Sequence, residues 1–430
     1  MVDRLQSEHN RANRSVKTAS LLLTLVMGST IVAFLRTDAF EPGPSLVPKP
    51  TVIPNDYFGM TVHNYRAPNS WSSIPFSSIR TWDTDVYWAD INKARNTFVW
   101  SKLDEMINLA QRRGADLIFT LGRTPKWASA SPNAPSPNGD GQCAPPADIQ
   151  YWQEFLRAAA IHANGRIKFW ETWNEPQSPD SVFYCGNVSA MVELQRRAYE
   201  TIKAFDPSAM ILTPSAAGSH GPSWMSRFLA AGAGKYADIM TFHGYLAPGE
   251  KAESIISSIV NFKAVFAAQG QKEKPVWDTE ASWGQNAWLS DPNLQAAFLA
   301  KFYLLHWSTA IDRLYWYAFD NDQWGTLWDP KNGLHKAGIA YREIHRWLLG
   351  ATMTLPCASE QSLWRCTVSR ENGYRGIVLW SADSSASVSR IALPPEFRQY
   401  RDLSGNVEKI PEDGTPISGA PILAETATSF

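Results

Sequence analysis

The stretch Phe169-Trp170-Glu171-Thr172-Trp173-Asn174-Glu175-Pro176 opens on an apolar run and closes on a carboxylate set before a proline. A second stretch, Pro275-Val276-Trp277-Asp278-Thr279-Glu280-Ala281-Ser282-Trp283, has the same design. Each predicts a short buried strand that stops at its glutamate, and the strand ends of a parallel barrel are where its chemistry collects. Outward from these two, residues 51–350 alternate short apolar runs with helical patterns, which predicts βα units. The predicted strands are 57–62, 78–82, 116–121, 167–170, 210–213, 239–243, 276–279 and 314–318. Such short, apolar runs suit strands covered on both faces.

The intervening helices repeat every 3.6 residues. Met191, Leu194, Ala198, Ile202 and Phe205 form one stripe, stopped by Asp206-Pro207. Ile255, Ile259, Phe262 and Phe266 form another, and Leu103, Ile107 and Ala110 a third, closed by Gly114. Asp291-Pro292 predicts an N-cap and first turn. Little helix fits between Asn64 and Ser77, so the first βα unit is abbreviated. Eight strands in this length predict an α/β fold of the (β/α)8 TIM barrel class. An open doubly wound sheet is disfavoured, because no glycine-rich loop follows the first strand. After Gly350, residues 362–368, 374–380, 388–393 and 421–424 alternate between Gly, Asn, Ser and Pro turns, predicting a small C-terminal antiparallel β domain over 351–430.

Residues 19–35 (ASLLLTLVMGSTIVAFL) are an uncharged apolar run of 17, preceded by Arg4, Arg11, Arg14 and Lys17 against Asp3 and Glu8. The run reaches the lower limit for spanning a bilayer, and the basic residues keep their side cytoplasmic. The expected order is a cytoplasmic tail (1–18), a transmembrane signal anchor (19–35), a Pro-rich linker (36–50) and an exported catalytic barrel on the periplasmic or extracellular side. A cleaved signal peptide is the alternative. Four cysteines fit an oxidising compartment. Cys143–Cys185 with Cys357–Cys366 is the simplest of three possible pairings.

The net charge of −1 and the lack of a basic stripe exclude nucleic acid as the natural partner. The cysteine spacing is not that of a zinc site, no HExxH occurs, and neither metal nor organic cofactor is expected. Nineteen tryptophans is a high count for this length; core packing accounts for most tryptophans, and those beside the two glutamates suit platforms for sugar rings. Two carboxyls about 5 Å apart across a sugar ring can cleave a glycosidic bond with retention. Glu171 and Asp278 compete for the two roles; the mid-motif place of Glu171 fits a buried structural carboxylate, while Asp278 shares the strand face of Glu280.

The string Trp173-Asn174-Glu175-Pro176 after a fourth strand, with Glu280 after a seventh, resembles clan A of the retaining glycoside hydrolases. Phe98-Val99-Trp100-Ser101-Lys102-Leu103-Asp104, Ile118-Phe119-Thr120-Leu121-Gly122, Thr124-Pro125-Lys126-Trp127-Ala128-Ser129, Tyr400-Arg401-Asp402-Leu403-Ser404-Gly405 and Pro421-Ile422-Leu423 are similar to family 39 within it. That family includes xylosidases, iduronidases and exopolysaccharide hydrolases. The resemblance implies an oligo- or polysaccharide substrate, Glu280 as nucleophile and Glu175 as acid and base. It further implies that Asn174 binds the sugar 2-hydroxyl, that Arg80 stands near the nucleophile, and that His243 or Tyr245 orients it. His243 serves equally well as a structural histidine. Trp316 resembles the clan's sugar platform, and Trp127, Trp283 and His63 are candidate pocket walls. A non-catalytic polysaccharide-binding barrel and a transglycosylase acting on exopolysaccharide are the competing accounts. The loop 129–146 is expected to rim the cleft.

Overall fold

The computed structural model describes residues 49–66, 74–177, 183–383 and 389–426. The tail, the apolar run 19–35 and nearly all of the linker lie outside the described residues. Among those described, no helix is long and apolar enough to cross a membrane.

The larger sheet is parallel and nine-stranded. Its strands in chain order are β1 (Phe58–Thr61), β2 (Ser78–Arg80), β3 (Asp116–Thr120), β4 (Phe169–Glu171), β5 (Met210–Leu212), the two-residue segment Ala216–Ala217, β6 (Met240–His243), β7 (Val276–Ala281) and β8 (Arg313–Trp316). β1 pairs with both β2 and β8, and β5 and Ala216–Ala217 form the two edges. These edges belong to one run of chain, 210–217, and Leu212 bridges in parallel to Ile239 at the start of β6. The sheet therefore curls round on itself and is TIM-barrel-like.

Among the described residues, seven helices of ten residues or more cover the outside: α1 (Ser101–Arg113), α2 (Ile149–Ala163), α3 (Val188–Phe205), α4 (Gly221–Ala230), α5 (Ile255–Ala268), α6 (Pro292–Ser308) and α7 (Lys336–Leu348). Their ends follow local chemistry. Gly114 closes α1 in the left-handed conformation (φ 63°), and the Asp291 side chain accepts from the backbone N–H groups of Asn293 and Leu294 to open α6. α6 is buried almost all round, because the barrel, α7 and the C-terminal sheet enclose it; Ser308 at its end accepts from Cys357 N–H at 2.8 Å.

Side chains alternate in and out along each strand, which stacks the barrel interior in layers. Arg313 seals the bottom against Asp56 (2.7 Å) and Asp116 (2.9 Å). Above it lies an apolar layer of Ile118, Phe169, Leu212, Ile239, Trp277 and Tyr315. Two residues further along β3, β4 and β7 the interior turns polar, with Thr120, Glu171 and Thr279 in contact. The next layer up holds the candidate site.

The C-terminal sheet is antiparallel, ordered β9 (Thr352–Glu360), β10 (Leu363–Ser369), β11 (Arg375–Ser381), β14 (Ile422–Thr426), β12 (Phe397–Arg401), β13 (Val407–Lys409). The strand predicted over 388–393 is present at Ser389–Ile391, paired antiparallel with Thr415–Ile417 outside this sheet. β9 escapes the sequence reading because Pro356 and two register shifts break its alternation, and β12 because Phe-Arg-Gln-Tyr-Arg has no apolar face. Disulfides Cys143–Cys185 and Cys357–Cys366 both form, the second tying β9 to β10.

Candidate active site

The two glutamates reach the barrel mouth by different routes. β4 ends at Glu171, so Glu175 stands on the following loop rather than at the strand end. Its N–H donates to Ser215 O at 2.8 Å, and Asn174 bridges to Ser215, which pins this loop to the run 210–217. Glu175 has φ 43°, a left-handed backbone that non-glycine residues adopt rarely and mostly at functional sites. β7 instead runs through Glu280 to Ala281, with a register shift against β6 between Asp278 and Glu280. Such a bulge re-aims side chains. Thr279 faces inward, and strict alternation would turn Glu280 outward; the irregularity brings Glu280 to the interior as well.

Arg80 is the hub of the cluster. Fully buried at the end of β2, it donates through Nε to Glu171 (2.7 Å), through Nη1 to Glu280 (2.6 Å) and through Nη2 to Asn174 (2.7 Å). Burial works against its charge, but Glu171 and Glu280 overcompensate and hold it above the ordinary arginine range. Glu171 also accepts from Thr120, Thr279 and Ser215, so it is saturated with donors and buried away from the cavity. Asp278 faces the helices, bonded to His306 of α6 at 2.8 Å. Gly244 is required beside it, because a Cβ there would overlap the Asp278 carboxylate.

His243 Nδ1 lies 2.8 Å from Glu175 Oε1 and 3.9 Å from Glu280 Oε2. Tyr245 donates its hydroxyl to Glu280 Oε1 at 2.8 Å. One oxygen of each glutamate and a nitrogen of His243 fall within 4.8 Å of one another. The trio has the spacing of a metal site, but the Arg80 guanidinium against Glu280 disfavours a second cation there. Burial raises Glu175, Arg80 pulls it back, and the carboxylates of Asp83 and Glu171 raise it again, to about 7. Burial also raises Glu280, opposed by His243 and Arg80. Burial lowers His243, opposed by the carboxylate of Glu280.

Above the carboxyl pair opens a cavity of about 610 Å³. Of the sequence candidates, Asn174, Glu175, Tyr245 and Glu280 line it, while Arg80 and His243 support it from below. Trp316 does not reach it. Tyr315 points inward, so alternation turns Trp316 toward the helices, where it is fully buried against Trp283 with its N–H on Gly325 O at 2.8 Å. Its neighbour Tyr317 lines the cavity instead. Trp283 borders a small separate cavity of about 80 Å³, and Trp127 a shallow groove with Lys93, Lys126 and Gln142. His63 packs edge-on behind Tyr317, ring centroids 5.2 Å apart. Asp83, Trp82, Trp324 and Trp288 line the cavity without having been anticipated. Asp83 stands three residues beyond Arg80, close enough to a strand end to have been considered; the loop tryptophans give no signal beyond their number.

Residues 146–341 match the family model described as glycosyl hydrolase catalytic core. No curated protein matches the sequence. Among solved structures, the chain is similar to a family 39 glycoside hydrolase from the gut symbiont Bacteroides cellulosilyticus WH2 (20% identity, TM-score 0.72, covering 87% of this chain and 82% of that one). It is also similar to a family 39 β-xylosidase from Caulobacter crescentus (16%, TM-score 0.66, 88% and 98%). A family 30 endoxylanase from Clostridium papyrosolvens C71 matches at 12% identity (TM-score 0.58, 89% and 98%). These chains share the fold, and the family model falls on the segment that carries both glutamates. The protein is a glycosidase whose residues 146–341 match a glycosyl hydrolase catalytic core, and it is similar in fold to family 39 enzymes.

Proposed function

We propose that the protein is a retaining glycosidase working by double displacement on a (β/α)8 barrel, with an oligo- or polysaccharide as substrate. The observation that carries this reading is the approach of Glu175 and Glu280 to within 4.8 Å, oxygen to oxygen. That spacing suits direct attack on an anomeric carbon and leaves too little room for the water an inverting pair must hold.

In this reading Glu280 attacks the anomeric carbon and forms a glycosyl ester. Arg80 and Tyr245 donate to its two oxygens and keep its electrons available as a carboxylate. Glu175, held protonated near neutrality, gives its proton to the leaving oxygen. Esterification removes the charge of Glu280, Glu175 becomes more acidic, and it then takes the proton of the incoming water. Asn174, aligned by Arg80, is the contact for the 2-hydroxyl. The cavity exceeds a single sugar ring in size, which favours a chain over a monosaccharide glycoside.

Both disulfides support export to an oxidising compartment, and the apolar run 19–35 supports an anchor there. The C-terminal sheet is assigned as an accessory domain. Because two solved relatives in fold are named for xylose-based substrates, an aryl β-xyloside is the first probe. Proton NMR of its hydrolysis tests the mechanism: the β-anomer should appear first and mutarotate later. Initial release of the α-anomer would rule out the double displacement.

A further inference from the structure

Asp83 is a cavity-lining carboxylate that the mechanism above does not use. It follows β2 with φ 58°, a left-handed backbone that aspartate adopts more readily than most non-glycine residues, and its carboxylate is held by three donors. Oδ1 accepts from Arg123 Nη2 (2.9 Å) and from the Tyr87 hydroxyl (3.1 Å), and Oδ2 accepts from the Tyr317 hydroxyl (2.7 Å). A carboxylate has about four lone-pair positions. Three are taken, one remains on Oδ2, and the side chain is 36% exposed at the cavity wall. The donors fix an acceptor in place; Tyr317, which carries one of them, is itself a wall of the cavity.

The charge balance of the wall points the same way. Its ionisable lining residues are Asp83, Glu175, Glu280, His220 and two tyrosines, with no lysine or arginine among them. Two guanidiniums stand behind the wall: Arg80, committed to Glu171, Glu280 and Asn174, and Arg123, which donates to Asp83.

We propose that the sugar bound over the two glutamates is uncharged, that Asp83 holds it by accepting a ring hydroxyl, and that uronic acids and other anionic sugars are shut out. This rests on the glycosidase reading and narrows its substrate. An anionic sugar would lose its water, meet two or three carboxylates and find no lysine or arginine on the wall among the described residues, and like charges brought together there are strongly disfavoured. A neutral sugar fills the free lone pair with a hydroxyl; a site built to bond a hydroxyl discriminates well.

The test uses the whole protein, wild type and Asp83→Asn. Asparagine tolerates the left-handed backbone, so this variant keeps the fold. Aryl xylosides, glucosides and galactosides are compared with aryl glucuronides and galacturonides in kcat/KM. In parallel, binding of neutral xylo- and cello-oligosaccharides and of oligogalacturonides is followed by tryptophan fluorescence. The wild type is expected to prefer its best neutral glycoside over any uronide by about 100-fold or more. Asp83→Asn is expected to lose about 10- to 100-fold on that neutral glycoside and to narrow the preference. Uronide turnover within tenfold of the neutral sugar, tighter binding of the oligogalacturonide, or an unchanged preference in Asp83→Asn would overturn the proposal. If nothing is hydrolysed but neutral oligosaccharides bind selectively and Asp83→Asn weakens them, the glycosidase reading fails and this one stands. If neither class binds nor reacts, both fail.

Discussion

Asp278 and Glu280 stand two residues apart on one strand, yet Asp278 reaches His306 on the helix side while Glu280 bonds Arg80 inside the barrel. The register shift between them separates a structural carboxylate from a chemical one. Glu280→Gln is accordingly expected to remove nearly all turnover, roughly 10⁴-fold or more, with little change in melting temperature. Asp278→Ala strands a buried histidine and is expected to cost stability, about 3–5 kcal/mol, with the smaller fractional loss of activity in the protein that remains folded. Denaturant unfolding beside kcat measurements separates the two outcomes.

Glu175 gives its proton to the leaving group, so its importance scales with how badly the leaving group needs one. Glu175→Ala is expected to lose about 10²–10⁴ on a natural glycosidic bond and far less on a dinitrophenyl glycoside. Equal losses on both substrates would remove Glu175 from the acid role. Added azide should rescue the variant on the activated substrate, giving a glycosyl azide of retained configuration.

The acid form of Glu175 is the active one in the first step, and its carboxyl titrates at about 7. Turnover on a poor leaving group should therefore fall above pH 7, and Glu175→Gln should abolish that limb along with the activity. Stability follows the same group. Its folded value lies above the ordinary 4.5, so the stabilisation tied to its proton is complete below about 4.5 and lost as pH rises through about 7. Glu175→Gln is expected to melt higher than wild type at pH 8 and no higher at pH 4, a difference read directly by calorimetry.

Trp316 and Tyr317 divide stability from binding. Trp316→Ala empties a fully buried site and is expected to cost about 3–5 kcal/mol. Tyr317→Ala, at the cavity wall, is expected to raise KM severalfold with a smaller loss of stability. Tyr317→Phe keeps the ring, removes the hydrogen bond to Asp83 and should fall between wild type and Tyr317→Ala in kcat/KM.

Much of this arrangement was legible in the sequence, for physical reasons. Strands covered on both faces must be short and apolar, and all eight predicted runs overlap strands of the sheet. Two glutamates after such runs announce a strand-end site. Trp316 is no platform because alternation sets side-chain direction: inward Tyr315 implies inward Tyr317 and turns Trp316 to the helices. Glu175, expected just where the fourth strand ends, stands on the loop four residues past Glu171, held by the bridge between Asn174 and Ser215. Asp83 was missed because a lone aspartate past a strand end has no local pattern; only Arg123, Tyr87 and Tyr317, drawn from elsewhere in the chain, define it. The bulge in β7 depends on pairing with β6 and has no signature within Val-Trp-Asp-Thr-Glu-Ala itself.

The double displacement is tested most directly by incubating the protein with activated 2-fluoro-glycosides of neutral sugars and sequencing the labelled peptide by mass spectrometry. The account predicts one fluoroglycosyl group per chain, esterified to Glu280, with loss of activity in step with labelling. Label on Glu175 or another side chain, or steady turnover of the same probe to an inverted product with no covalent adduct, would contradict it.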